Sequence, residues 1–193
     1  MIAGHFGLAA MVKAKERQAP LWALMLASQW LDVVFVPLVG AKVEGFTPLP
    51  GSSGGYGEVI IHADYTHAMV GALALAAAFG LASAWRWGRR TGAVLGGVVF
   101  SHWVLDLLVH RADMPVLPNN LGDLPRLGLG LWRWPAATAA VELILVVAGT
   151  LLYTRAAVET VRAAGGARGR AITVGAIALG VGLLTLGLNV AGL

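Results

Sequence analysis

Residues 93–110 read Ala-Val-Leu-Gly-Gly-Val-Val-Phe-Ser-His-Trp-Val-Leu-Asp-Leu-Leu-Val-His, an apolar run close to the ~20 residues that a helix needs to cross a bilayer. Three ionisable side chains, His102, Asp106 and His110, interrupt this run at intervals of four residues. On a helix that spacing places all three along one face. Ionisable groups at membrane depth are costly and usually mark a functional site, so the stretch predicts both a membrane helix and a binding face.

The composition of the whole chain is that of an integral membrane protein. Of its 193 residues, 58% are hydrophobic and 12% are charged, and the mean hydropathy is +0.74. The absence of cysteine excludes disulfides, thiolate zinc sites and iron–sulfur clusters, so any metal must be held by imidazole nitrogens and carboxylate oxygens. The formal charge of +4 comes from basic residues in short connections, which indicates membrane topology and no nucleic-acid partner.

Five apolar windows are long enough to span a membrane, and they define the predicted fold. They cover Leu21–Val39, His67–Trp85, Ala93–Val109, Ala136–Tyr153 and Ala171–Leu193. Before them, Met1–Met11 is apolar but too short to cross, which predicts a half-helix that dips into the membrane. We therefore expect an all-α, polytopic membrane helix bundle of about five transmembrane helices plus an N-terminal half-helix, forming a single membrane domain over residues 1–193.

The basic residues fall mainly at one end of the predicted spans, which predicts the orientation of the chain. That end carries Lys13, Lys15, Arg17, Arg86, Arg89, Arg90, Arg155, Arg162, Arg168 and Arg170. Because positively charged connections stay inside, this end should be cytoplasmic, and the half-helix should enter from the cytoplasmic side. The C-terminus and the loops 40–66 and 111–135 would then lie outside the cytoplasm.

Counting ~1.5 Å of helical rise per residue from the cytoplasmic end gives each polar side chain a depth in the membrane. One layer, at roughly 15–19 Å, contains His5, Asp32, His102 and Glu142. Asp106 lies one turn higher, while His67 and His110 fall at ~28–30 Å, toward the outer face. Carboxylates and imidazoles from separate segments are thus predicted to converge in one slab that opens outward.

A mixed set of carboxylates and imidazoles at this depth is best compensated by a divalent cation. Imidazole favours Zn, Fe or Cu and carboxylate extends the range toward Mn, so zinc is the predicted ion, with Mn or Fe as alternatives. A bound Zn²⁺ lowers the pKa of its water toward ~7 and polarises an ester or phosphoryl oxygen, which indicates hydrolysis. Asp106 or Asp32 is the natural bridge between two ions, and Glu142 is a ligand or general base. Asp106 and Glu142 are the predicted catalytic residues.

Five short motifs carry a resemblance to a known family. They are Gly4-His5-Phe6-Gly7, Gln29-Trp30-Leu31-Asp32, Tyr65-Thr66-His67, Ser101-His102-Trp103-Val104-Leu105-Asp106 with His110-Arg111-Ala112-Asp113-Met114-Pro115, and Gly128-Leu129-Gly130-Leu131-Trp132. With them the chain resembles the bacterial membrane-bound proteins known as metal-dependent hydrolases, over most of residues 1–155. Two departures from the usual wording of these motifs, Ala68 after His67 and Ala112 after Arg111, remove no candidate ligand.

The resemblance implies a metal site distantly similar to those of zinc-dependent phospholipase C and P1 nuclease. The ligands that it implies are His5, Asp32, His67, His102, Asp106 and His110. It also implies a multi-pass protein of the bacterial inner membrane. The predicted function is hydrolysis of an ester or phosphoester of a lipid or another amphiphile, at a site near the extracytoplasmic face.

Other functions fit the same residues. In a transporter or proton relay, the buried acids would line a pathway, and discontinuous spans would favour that function. In an accessory subunit of a larger membrane complex, the helices would hold a cofactor or a partner. Outside the predicted cluster, Arg111 and Asp113 either bind a substrate head group or pair with each other, and His62 is a loop histidine.

Overall fold

Helices make up most of the described chain, and a small hairpin caps one end of them. The computed structural model describes residues 1–52 and 57–191. Its helices are α1 (Ile2–Lys15), α2 (Leu21–Ser28), α3 (Trp30–Gly40), α4 (Met69–Trp87), α5 (Arg89–Val109), α6 (Pro135–Ala163) and α7 (Gly169–Val190). The connections contain two strands, β1 (Gly45–Pro48) and β2 (Val59–His62), and two single 3-10 turns, Pro118–Asn120 and Leu131–Arg133.

Four of the helices, α4 to α7, are each long and apolar enough to cross a membrane. Helices α2 and α3 together pass the same test as one span that is bent by 50°. The predicted all-α membrane bundle is therefore confirmed, and it is preceded by a separate N-terminal helix that extends to Lys15. The predicted end of the last span, residues 192–193, lies outside the described residues.

Two segments differ from the prediction in ways that affect the site. The predicted second span begins at His67, but α4 begins at Met69, and Ala68 has extended backbone with φ −61° and ψ 137°. The predicted first span is interrupted at Gln29, where φ is −113° and ψ is 6°. Ser28 and His67 are both buried against protein, and buried positions of this kind are where non-helical backbone is tolerated at membrane depth.

Helix α1 lies against α6 with the two backbones in contact. Gly7 and Gly149 meet at this crossing, and a Cβ on Gly149 would overlap the Gly7 carbonyl. Because only glycine fits there, these two positions set how closely α1 approaches the bundle. At the other end of α1, the Glu16 carboxylate pairs with Arg90 at 2.9 Å. The end of α1 is thus fixed at the start of α5, and the N-terminus of α1 lies toward the end of α5.

The apolar core lies between α2, the start of α3, α4 and α5. Its buried members include Ala23, Leu24, Leu31, Ala72, Leu95, Val99 and Trp103. Helices α4 and α5 form an antiparallel pair joined by Gly88, whose φ of +88° suits glycine. This hairpin brings the start of α4 beside the end of α5, and both of these ends contribute to the candidate site.

A two-stranded hairpin that we did not predict from the sequence covers this end of the bundle. Strands β1 and β2 pair antiparallel, with Gly45 opposite His62 and Pro48 opposite Val59. The Ile61 backbone N–H donates to Asp113 Oδ2 at 3.2 Å, which ties the hairpin to the segment after α5. The hairpin therefore forms one wall of the space above the site.

Candidate metal centre

The Asp106 carboxylate lies at the centre of a buried cluster near the end of α5. Four imidazole Nε2 atoms surround it: His102 at 3.1 Å, His67 at 3.6 Å and His110 at 3.7 Å from Oδ2, and His5 at 3.1 Å from Oδ1. None of these five side chains is more than 5% exposed. Side chains from α1, from the segment before α4 and from α5 thus meet around one carboxylate.

Asp32 adds a second carboxylate to the cluster. Its Oδ1 lies 3.5 Å from His67 Nε2 and 3.6 Å from His102 Nε2, and the two imidazole nitrogens are 3.4 Å apart. Ligands about 2.0–2.1 Å from zinc, at the corners of a tetrahedron, lie roughly 3.3–3.4 Å from one another. The triangle of Asp32, His67 and His102 therefore has the size of one face of a tetrahedral zinc coordination sphere. Asp106 Oδ2 lies beside it, 3.1 Å from His102 Nε2 and 3.6 Å from His67 Nε2.

Two of the imidazoles have their other nitrogen fixed by an acceptor that carries no hydrogen. His102 Nδ1 donates to the Ser28 carbonyl at 2.7 Å, and His110 Nδ1 donates to Asp113 Oδ1 at 2.9 Å. Since Nδ1 carries the hydrogen in each neutral ring, Nε2 presents a lone pair toward Asp106. Metal-binding histidines are commonly held in this way, by a carbonyl or carboxylate on the distal nitrogen.

The break between α2 and α3 supplies one of these acceptors. Ser28 is the last residue of α2, and Gln29 leaves the helical conformation, so the Ser28 carbonyl is available to a side-chain donor. The same break places Asp32 in the first turn of α3, within 3.6 Å of His102 Nε2. The break in this span therefore positions both the acceptor of His102 Nδ1 and the Asp32 carboxylate in the cluster.

His5 reaches the cluster from α1, as the sequence predicted. Its ring stacks on that of His102, with centroids 3.8 Å apart and 9° between the planes. His5, His102 and Asp106 form a second group with metal-ligand spacing, which shares His102 with the group formed by Asp32 and His67. The His5 Nδ1 atom is buried and has no hydrogen-bond partner among the residues that the structure describes.

Glu142, which the sequence suggested as a ligand or general base, lies on α6, where it contacts the backbone of α1. It is fully buried on α6, and its Oε2 accepts a hydrogen bond from the Gly4 backbone N–H at 3.0 Å. Among the described residues, it belongs to neither group with metal-ligand spacing. This contact supports a role for Glu142 in holding α1, and with it His5, at the site. Its direct part in catalysis stays a prediction.

A cavity of about 360 Å³ opens onto the cluster. One wall carries the ionisable side chains Asp32, His67, Asp106 and His110, and the other walls are mostly apolar, with Ile2, Phe35, Val36, Val59, Ile61 and Trp132. Asp32 differs from the buried Asp106 in that 37% of its side chain is exposed. A molecule in the cavity would therefore meet carboxylates on one side and apolar side chains on the other.

Two residues that hold His67 in place were not predicted from the sequence. The Thr66 hydroxyl lies 2.9 Å from His67 Nδ1, and the Glu44 carboxylate accepts a hydrogen bond from the same hydroxyl. Thr66 is adjacent to a candidate ligand, which was an available signal. Glu44 gave no signal, because its position relative to His67 depends on how the intervening loop folds.

Asp113, which follows α5, does not have the partner that one of our two alternatives gave it, Arg111. Asp113 is buried and bonds His110, while Arg111 donates to the Gly57 carbonyl at 3.0 Å. The alternative of an Arg111–Asp113 surface pair is therefore wrong. His62 lies on β2, with its Nε2 3.1 Å from Thr47 Oγ1, and takes no part in either metal-sized group of the described residues.

Comparison with known proteins gives no further information about this cluster. No protein-family model, curated protein or solved structure matches the chain. The resemblance to membrane-bound metal-dependent hydrolases therefore rests on the sequence motifs, and the function has to be argued from the geometry of the cluster and its cavity.

Proposed function

We propose that this chain is an integral membrane hydrolase that uses a divalent metal ion, zinc in the first instance, to cleave an ester or phosphoester of an amphiphile. Its metal ligands are His67, His102, Asp32 and Asp106. The observation that carries the proposal is the set of separations of 3.1–3.6 Å that His67 Nε2 and His102 Nε2 make with each other and with the two carboxylates. His110 and His5 border this set and complete the predicted ligands.

The facing atoms of the cluster favour a bound cation. His102 Nε2 presents a lone pair, and its neighbours Asp32 Oδ1 and Asp106 Oδ2 are also acceptors. Acceptors this close repel one another unless protons or a metal ion lie between them. Each uncompensated charge at membrane depth also costs on the order of 2.5–3.5 kcal/mol or more, and one divalent ion would compensate both carboxylates. Nitrogen and oxygen ligands without thiolate suit Zn, Mn or Fe.

The reaction follows from the position of the two carboxylates beside the cavity. A divalent ion bound there would lower the pKa of a coordinated water and polarise the substrate's carbonyl or phosphoryl oxygen. We assign to Asp32, the exposed acid, the role of accepting the proton of the attacking water. The water oxygen bonds to the carbonyl carbon or phosphorus, and the bond to the alcohol oxygen breaks as that oxygen takes up the proton. Asp106, buried among imidazoles, stays ionised and orients the ligands.

The walls of the cavity support an amphiphilic substrate. Phe35, Val36 and Ile61 form apolar surface opposite the carboxylates. Val36 is 67% exposed on the outside of α3, so this surface continues toward the hydrocarbon of the bilayer. A lipid-like molecule would place its ester or phosphoester at Asp32 and its chain along this apolar side. For an amphiphile taken from water, burial of its hydrocarbon chain would contribute about 0.8 kcal/mol per CH₂ group.

The orientation in the membrane is part of the same proposal. The Glu16–Arg90 pair and the clustered basic residues lie at one end of α5, and His110 follows its other end. With the basic end in the cytoplasm, the cavity would open near the extracytoplasmic face. The motifs shared with bacterial membrane proteins favour the inner membrane as the location.

Turnover of chromogenic substrates by the purified protein tests the function. We expect hydrolysis of a long-chain ester or a phosphodiester that stops on chelation, returns with Zn²⁺, and is lost in Asp32→Asn and His102→Ala. The His62→Ala variant is the matched control, because this histidine bonds Thr47 outside the cluster. Turnover that persists in His102→Ala, or that chelation leaves unchanged, would remove the support for a metal-dependent hydrolase.

The bent span favours ion transport as a second candidate function. Transporters commonly bind their ions where a membrane helix is interrupted, and the break at Gln29 lies beside Asp32 and His102. In proteoliposomes, a transporter would move protons or Zn²⁺ across the bilayer, and Asp32→Asn would abolish the flux. Flux without any hydrolysis would replace the hydrolase proposal by this one.

A further inference from the structure

Glu44, in the turn between α3 and β1, is a buried acid with three hydrogen-bond donors around it. Its Oε1 accepts from the backbone N–H groups of Tyr65 at 2.7 Å and Thr66 at 2.8 Å, and its Oε2 accepts from the Thr66 hydroxyl at 2.9 Å. Only 5% of the residue is exposed. Because a carboxylate has no hydrogen to give, the Thr66 hydroxyl must be the donor in the last of these bonds.

The direction of that bond determines the state of His67. A hydroxyl has one hydrogen, and Thr66 uses it on Glu44, so Thr66 Oγ1 can only accept from its other neighbour. That neighbour is His67 Nδ1, 2.9 Å away. The hydrogen of the neutral His67 ring therefore lies on Nδ1, and its Nε2 has a free lone pair that faces His102 and Asp106.

We propose that Glu44 is a positioning residue that acts through the Thr66 hydroxyl to keep His67 in the tautomer that binds metal. This inference rests on the proposed function, since it assigns Glu44 to the metal site and gives it no contact with substrate. Glu44 and Thr66 together do for His67 what the Ser28 carbonyl does for His102.

His67 needs this support because no helix holds it. It lies in the irregular segment before α4, where its backbone carbonyl accepts a hydrogen bond from Trp103 Nε1 at 2.9 Å. The carbonyl contact fixes the height of the residue beside α5, while the Thr66 contact fixes the rotation of the ring. Loss of the second contact alone would leave the segment in place and free the ring to turn or to exchange its tautomer.

We call the hydrogen-bonded chain from Glu44 through Thr66 to His67 the relay. The zinc affinity of the full-length protein in detergent, measured by competition with a chromophoric chelator, tests it. Thr66→Val keeps the shape of the side chain and removes the hydroxyl, and we expect it to weaken zinc binding by roughly 10–100-fold. Thr66→Ser restores the hydroxyl and should restore wild-type affinity. Thr47→Val is the matched control, since it removes a hydroxyl that bonds His62 outside the site.

A second variant changes the direction of the relay without removing the hydroxyl. In Glu44→Gln the amide can donate to Thr66 Oγ1, which frees the hydroxyl hydrogen for His67 Nδ1 and shifts the ring hydrogen to Nε2. We expect this variant also to lose roughly 10–100-fold in zinc affinity. The ¹⁵N spectrum of selectively labelled histidine should show the changed tautomer in the zinc-free protein, which a merely structural role would not produce.

The outcomes separate the relay from the proposed function. A wild type that binds no zinc overturns both. Tight zinc binding by the wild type and equally tight binding by Thr66→Val and Glu44→Gln overturns the relay alone, as does a Thr66→Ser variant as weak as Thr66→Val. If Thr66→Val does not fold, the comparison of Glu44→Gln with Thr66→Ser decides in the same way.

Discussion

Removal of the metal should lower the thermal stability of this protein by an amount that can be estimated. The proposed ligands come from three places along the chain: α3, the segment before α4, and α5. A bound ion therefore ties together elements that are otherwise joined by loops. At a free metal concentration of 1,000 times Kd, linkage gives the folded state about 4.1 kcal/mol. For a chain of this size that corresponds to a rise in Tm of roughly 8–16 °C.

Tryptophan fluorescence of the detergent-solubilised protein during heating provides the assay, with and without chelator. The wild type and His62→Ala should both lose roughly 8–16 °C on chelation and regain it with Zn²⁺. His102→Ala should melt at the lower temperature in either condition. A wild type whose Tm is unchanged after its metal has been removed would refute the reasoning, because the ion would then not connect these elements.

Three further substitutions test separate parts of the account. Glu142→Ala leaves the Gly4 N–H without its Glu142 acceptor and should reduce the free energy of unfolding by about 1–3 kcal/mol, measured by denaturation, while the metal content is retained. Gly149→Leu places a side chain on α6 against the Gly7 carbonyl of α1, pushes the two helices apart, and should cost about 1–3 kcal/mol in the same measurement; an unaffected stability would show that the crossing is not close-packed. Ile61→Trp narrows the cavity and should raise KM for a long-chain ester, with a short-chain ester as the control. Equal changes in KM for both esters would contradict the proposed path of the substrate's hydrocarbon chain along Ile61.

The sequence predicted which candidate ligands lie close together wherever those ligands are on a regular helix. His102 and Asp106 are separated by one helical turn of α5, and their side chains lie 3.1 Å apart. Counting helical rise from the basic end placed His5 at nearly the same depth as His102, and their rings stack at 3.8 Å. Both predictions needed only the period of the α-helix and the position of the charged residues.

The depth of His67 could not be predicted in this way. Counting rise along an assumed helix put it ~10 Å above His102, yet the two Nε2 atoms are 3.4 Å apart. The error arises because residues before Met69 are not helical, so each residue there does not add a fixed rise. The same limit applies to Glu44, whose contact with Thr66 depends on the fold of the loop between them.

The break between α2 and α3, at Gln29, could not be predicted from the sequence pattern either. Gln29 lies inside an apolar window with no proline or glycine beside it, so its neighbours favour a continuous helix. In the folded chain, His102 Nδ1 donates to the Ser28 carbonyl at the break, and Asp32 lies 3.6 Å from His102 Nε2. Tertiary contacts of this kind act between residues that are far apart in sequence, and local propensity carries no information about them.

Metal content per chain, measured by inductively coupled plasma mass spectrometry on the purified protein, tests the central claim most directly. The wild type and His62→Ala should each retain at least about one transition-metal ion per chain, and folded His102→Ala and Asp106→Ala should retain almost none. If both of these variants fold and keep the wild-type amount of metal, the cluster around Asp106 is not a metal site.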